Sequence, residues 1–149
     1  MIRAITADET RTLRSVLLRP GQPPENLVYP GDDTPEALHV GAFHDGKLVG
    51  IASIYPELPP EEHRNKIPAG KAFRLRGMAT TPEVRGLGYG RQLLEFCFDH
   101  MQKHNAPILW CNARIGAQEF YKRLGLQTIG PEFEIEGIGP HYVMWTVVS

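Results

Sequence analysis

A mixed α/β fold is predicted for this chain by three features of its sequence. Leu38 to His44 and Lys47 to Tyr55 are two strand-like runs on either side of Asp45-Gly46, the turn chemistry of a β-hairpin. Gly90, Leu93, Leu94, Cys97, Phe98 and Met101 follow the spacing i, i+3, i+4, i+7, i+8, i+11, which gives a helix one apolar face to lay on a sheet. Between a strand ending near Leu75 and that helix lies Arg85-Gly86-Leu87-Gly88-Tyr89-Gly90, a glycine-rich connection.

Size and composition bound the answer. A chain of 149 residues, 42% hydrophobic and 22% charged, fits one domain spanning 1–149 with a proper core. A net charge of −1 gives no general attraction to nucleic acid or to an acidic membrane. The start, Met1-Ile2-Arg3-Ala4, lacks the pattern of a signal peptide, and no apolar run approaches transmembrane length. Cys97 and Cys111 both lie in apolar segments and read as buried free thiols, with neither a disulfide framework nor a metal site implied. A cytoplasmic protein is the expectation.

Taken in order, Ile2 to Ile5 reads as a first strand, and Thr6-Ala7-Asp8-Glu9 has the form of a capping box. Leu13, Val16 and Leu17 continue at helical spacing until Pro20-Gly21. Five prolines and two glycines between Pro20 and Pro35 exclude a long helix there, so Leu27, Val28 and Tyr29 sit in an irregular loop, as a site wall or as solvated linker. After the hairpin, Pro56 to Gly70 carries four prolines and reads as a mobile surface connection.

From Lys71 the pattern alternates, with Phe73 and Leu75 on one face and Arg74 and Arg76 on the other. Gly77 then interrupts it, as glycine does at a bulge or a close backbone approach. Asn105-Ala106-Pro107 closes the long helix, and Ile108 to Cys111 reads as a buried strand. Ala117, Phe120, Tyr121 and Leu124 form the inward face of a short helix stopped by Gly125. Gln127 to Ile129 and His141 to Val148 read as two further strands.

The glycine loop carries the functional signal. Three alternate positions without Cβ allow positive φ and let backbone N–H groups turn inward. The helix that follows offers the unpaired N–H groups and positive dipole of its first turn, a natural seat for phosphate, and Arg85 and Arg91 flank it. A P-loop is excluded because Gly90 is followed by Arg91-Gln92 and not Lys-Ser/Thr. The dinucleotide fingerprint also fails, since the spacing is Gly-x-Gly-x-Gly and the loop sits mid-chain.

What does match is Arg-x-x-Gly-x-Gly at Arg85, Gly88 and Gly90, led in by Leu75 to Val84. Here the chain resembles the GCN5-related N-acetyltransferases, and Asn112-Ala113-Arg114 through Phe120 to Leu126 is similar to the second motif of that family. The resemblance implies a twisted, mainly antiparallel sheet with helices on both faces and acetyl-CoA in a cleft between two splayed strands. It implies cofactor contacts at Met78, Ala79 and Thr80, then at Arg85, Gly86, Leu87, Gly88, Tyr89, Gly90 and Arg91, and at Asn112. Arg114 stands where many relatives have an asparagine. Phe133 to His141 resembles the Glu-x-Gly-Ile-Pro-His stretch of a bacterial subgroup, with Gly139 as an extra residue.

The implied reaction passes an acetyl group directly from acetyl-CoA to an amine in a ternary complex, with no metal and no covalent enzyme intermediate. The Met78 backbone N–H is the expected oxyanion donor. Tyr121 is the expected acid for the departing thiolate, although its place on the inward helical stripe suits a core tyrosine equally. An amine of pKa about 10.4 is almost wholly protonated at pH 7, which makes a base useful; Glu134, Glu136 and His141 are the candidates. Arg74 and Arg76 either face the acceptor and favour an anionic substrate or lie on an exposed strand face. A small-molecule or peptide amine is the expected acceptor and a homodimer the assembly the resemblance suggests. A non-catalytic acyl-CoA-binding module is the alternative.

Overall fold

In the computed structural model, which describes residues 1–148, the chain runs β1 (Ile2–Ile5), α1 (Ala7–Leu13), β2 (Leu38–His44), β3 (Lys47–Pro56) and β4 (Ala72–Thr80), then α2 (Tyr89–Lys103), β5 (Ile108–Arg114), α3 (Gln118–Arg123), β6 (Gln127–Ile135) and β7 (Gly139–Val147). One sheet holds all seven strands in the order β1-β2-β3-β4-β5-β7-β6, antiparallel at every junction except β4–β5.

Helices cover both faces. On one, Leu93 of α2 lies where a Cβ on Gly50 would meet it at 3.1 Å, and Leu93, Leu94, Cys97 and Met101 are buried with Val40, Ala52, Ile54, Phe73 and Leu75. Burial of each such aliphatic side chain is worth about 1.5–3 kcal/mol. On the other face α1 and the π-helical turn that extends it, Arg14–Leu18, lie over β3 and β4, where Arg14 bonds Ser53.

Local chemistry sets the ends of these elements. The Thr6 side chain accepts from the Glu9 amide and the Glu9 carboxylate accepts from the Thr6 amide, a complete capping box. Asp45 and Gly46 take φ of 51° and 76°, as the tight β2–β3 hairpin requires.

Several expectations are corrected. The inward face of α1 and its π-helical extension is polar, since Thr10, Arg14 and Ser15 are buried while Val16 is 61% exposed. The 56–70 connection is pinned: Ile67 is buried against Ala72, Ile108 and Trp110, and the Trp110 indole donates to the Glu57 carbonyl at 2.8 Å. β6 and β7 are longer than their apolar runs, because the segment resembling a connection continues both strands and turns only at Glu136 to Ile138.

Candidate active site

The site begins where the sheet comes apart. β4 and β5 are paired in parallel from Ala72↔Ile108 to Leu75↔Cys111 and no further, yet β4 continues to Thr80 and β5 to Arg114. A wedge opens between them. On its other edge β4 pairs Arg76 with Ser53 and Ala79 with Ile51, so it advances three residues where β3 advances two. That extra residue is a bulge at Gly77-Met78, which interrupts the β3–β4 ladder beside the wedge and leaves it locally unpaired. Gly77 has φ of +66°, and a Cβ there would lie 2.9 Å from the Tyr29 ring, so only glycine suits the position.

Beyond the wedge lies the glycine loop. Gly86 and Gly88 have φ of 85° and 88°; a Cβ at Gly86 would meet nothing within 4 Å, and at Gly88 only Gln92 at 3.9 Å. Gly90 corrects the expectation of three left-handed glycines, because it lies inside α2, where its missing Cβ admits the Phe120 ring at 2.8 Å. No acidic side chain stands in the first turn of α2 and none caps it, so its positive end is unneutralised. The loop is docked from behind by Tyr89 Oη and His44 Nδ1, 2.8 Å apart.

Two cavities meet at the wedge. The larger, about 850 Å³, runs along Met78, Ala79 and Thr80 to Arg85, Gly86, Gly88, Tyr89, Gly90 and Arg91. The smaller, about 190 Å³, lies on the side of Tyr29, Arg74, Arg76, Asn112 and His141. Leu18, Met78, Arg114, Ala117 and Tyr121 line both. Arg114 Nη2 donates to the Leu18 carbonyl at 2.7 Å, tying β5 to the π-helical turn across this junction.

Tyr121 is 8% exposed and its hydroxyl has no hydrogen-bond partner among the described residues. Burial, and beyond it Cys111 and Cys97, pushes its phenol well above 10, so it stays protonated. Both thiols are themselves pushed up to about 12 by burial, which leaves neither a nucleophile. His141 is buried, with Nδ1 2.7 Å from the Gly139 carbonyl. That carbonyl can only accept, so Nδ1 carries a proton, and in the neutral ring the lone pair is on Nε2.

The structure separates the remaining residues singled out in the sequence. Leu87 is 58% exposed and lines neither cavity. Asn112, expected at the cofactor, lines the smaller cavity, with its buried Oδ1 unpaired. Glu134 and Glu136 are exposed on the β6–β7 hairpin and line neither cavity, so of the three base candidates only His141 reaches the site. Leu27 and Tyr29 do wall the smaller cavity, while Val28 points away, 49% exposed.

Sequence reasoning missed the support behind this wall. The Tyr29 ring lies between two guanidinium groups, with Arg14 at 3.8 Å and Arg76 at 4.0 Å from its centroid. Arg14 in turn bonds Asp32, Ser53 and the Leu27 carbonyl, and His39 bonds Ser53 and the Asp32 carbonyl. An arginine in a helical stripe beside a proline-rich loop gave no local sign of burial. Among the described residues no cluster of His, Cys, Asp and Glu could hold a metal, and no helix is long and apolar enough to cross a membrane.

Solved structures share this architecture. ElaA of Escherichia coli superposes with a TM-score of 0.72 at 17% identity over 98% of this chain and 99% of its own. An aminoglycoside 6'-N-acetyltransferase complexed with coenzyme A gives 0.71 at 14% over 100% and 97%. At such identities the likeness establishes the fold, that of the acyl-CoA N-acyltransferases. The sequence carries the assignment further. The profile of the acetyltransferase (GNAT) family matches residues 4–126, and the chain is 34% identical over 144 residues to YitI of Bacillus subtilis strain 168, described as an uncharacterized N-acetyltransferase, covering 97% of this chain and 93% of that one. The chain belongs to the GNAT family and is an acyltransferase.

Proposed function

We propose that this protein, acting as a single cytoplasmic domain, transfers an acetyl group from acetyl-CoA to the primary amine of a small-molecule or peptide acceptor by direct attack. The observation that carries this reading is the meeting of the two cavities at Met78, Tyr121 and Arg114. One cavity has the cradle for a diphosphate, and the other has room for an amine.

The residues of the larger cavity fit coenzyme A. Left-handed Gly86 and Gly88, with open space where a Cβ would stand, allow a ligand close to the backbone, and the free amides of the first turn of α2 supply donors. Arg85 and Arg91 add charge, and Met78 to Thr80 offer the freed strand edge for a pantetheine arm. When bound, acetyl-CoA supplies an acetyl thioester, so that a C–N bond forms at its carbonyl carbon, the C–S bond breaks, and the products are an amide and a free thiol.

Three groups of the chain serve that exchange. The Met78 amide, freed by the bulge, donates to the oxygen on which charge develops. Tyr121 holds its proton at neutral pH and gives it to the departing sulfur. His141 Nε2 takes the proton that the amine nitrogen sheds, directly or through a water, and the two residues return to their starting states by exchange with solvent. The high-lying Cys97 and Cys111 thiols support direct attack over a cysteinyl intermediate.

Thiol release from acetyl-CoA across a panel of amines tests this. The expected result is acetyl-CoA-dependent release with at least one amine class, and Tyr121→Phe losing turnover while keeping coenzyme A affinity. An acyl-CoA-binding module without catalysis would instead bind acetyl-CoA and release nothing with any amine.

A further inference from the structure

The smaller cavity has a charge imbalance that transfer to a simple amine does not require. Arg19, Arg74, Arg76 and Arg114 line it, and no aspartate or glutamate does. Nearby carboxylates account for little of this charge. Asp32 is fully engaged by Arg14 behind Tyr29, and Glu57 reaches Arg74 only at 3.4 Å. Arg19, Arg76 and Arg114 have no carboxylate partner among the described residues.

Leaving cations together without counter-ions costs free energy, through desolvation and mutual repulsion, unless something else offsets it. Arg76 is also held in place: its guanidinium stacks on Tyr29, which is braced from behind by the buried Arg14. A planar, braced fork of donors matches the two oxygens of a carboxylate or phosphate. Beside it the floor is apolar, with Leu75, Cys111 and Ile138, enough for a short carbon skeleton between the anion and the junction at Tyr121.

Resting on the acetyltransferase reading, we infer that the acceptor is a small amine that carries its own oxyanion, a carboxylate or a phosphate, bound by Arg76 with Arg19 and Arg114 so that its nitrogen faces the Met78–Tyr121 junction. The same positive field has a second effect. A like charge disfavours an ammonium group, so the bound amine gives up its proton more readily than in water. Polycationic acceptors are disfavoured by the same repulsion.

The test is steady-state thiol release at saturating acetyl-CoA with matched pairs: the standard amino acids against their amides, and phosphoethanolamine against ethanolamine, with spermidine as a polycation. The anionic member of at least one pair is expected to exceed its neutral partner in kcat/KM by about tenfold or more, the size of one charge-assisted hydrogen bond. Which pair responds identifies the oxyanion as carboxylate or phosphate. Arg76→Gln should erase most of that preference through KM, with Arg76→Lys restoring part of it, and Arg19→Gln gives a second reading should Arg76→Gln lower the melting temperature.

Neutral amines or spermidine turned over as well as the anionic ones would overturn the inference and leave the acetyltransferase reading intact. So would a preference unmoved by both glutamine variants, or acetyl-CoA binding without release from any anionic amine. A protein that does not bind acetyl-CoA at all removes both readings together.

Discussion

Arg14 and Asp32 form a bidentate ion pair with both side chains fully buried, Nη1 2.8 Å from Oδ2 and Nη2 2.9 Å from Oδ1. The pair is not beside the reacting groups, yet it fixes the loop that carries Tyr29, and Tyr29 fixes Arg76.

Removing one partner strands a charge in the interior. Arg14→Ala or Asp32→Ala should each cost about 3–5 kcal/mol in chemical denaturation, with the double variant costing less than the sum. Equal additive losses of under about 1 kcal/mol would show the pair to be dispensable.

Acid should act through the same pair. Burial alone would push the Asp32 carboxyl up, but hydrogen bonds from Arg14 and the Tyr29 amide, with the charge of Arg14, outweigh it and hold the carboxyl below its ordinary 3.8. The unfolded chain therefore binds this proton first as pH falls. The pair's contribution is fully present above about pH 4, and it is lost as pH drops through the lower native value. Asp32→Asn should flatten that part of the acid limb in a stability–pH curve.

At the alkaline end the cysteines have the opposite sign. Their native values lie near 12 against an ordinary 9.0, so between those limits the folded protein keeps protons that the unfolded chain releases. Stability should decline as pH rises above about 9, and Cys97→Ala with Cys111→Ala should lessen the slope. A disulfide reagent at pH 8 should find no fast-reacting thiol in the native protein and two in denaturant.

Gly77→Ala combines two penalties, a left-handed backbone and a Cβ pressed on Tyr29. A loss of about 2 kcal/mol or more is expected, with activity falling further than stability because the bulge carries the Met78 amide. Thermal melts and kcat measured on one preparation check this, and a variant as active as the wild type would remove the bulge from the mechanism.

Arg85→Ala and Arg91→Ala, both exposed, should weaken coenzyme A binding by about tenfold each while leaving the melting temperature unchanged. Their effect should shrink for dephosphorylated pantetheine, which lacks the diphosphate. Isothermal titration with both ligands distinguishes this from a general loss of the site. Leu87→Ala, a side chain turned to solvent, is the matched control.

The glycine loop, the capping box at Thr6, the Asp45-Gly46 hairpin and the apolar stripe of α2 were legible because each is a local matter, decided by φ preference or by side-chain period over a few residues. Gly90 shows where that ends. Its spacing with Gly86 and Gly88 suggested a third loop glycine, but its lack of a Cβ serves the approach of Phe120, thirty positions away. Asn112 was likewise drawn to the cofactor by its neighbours in the chain, whereas in the fold it lines the other cavity.

What the residues settled unaided was the menu of elements, the glycine-rich loop and the family, since these depend on backbone preferences and periodicity within short stretches. Tertiary structure alone decided where the sheet parts, that Tyr121, Met78 and His141 border connected cavities, and that four arginines from β4, β5 and the π-helical turn with its end surround the smaller one. Those relations join positions up to about a hundred residues apart, such as Arg114 and Leu18, and no local preference encodes a distance of that kind.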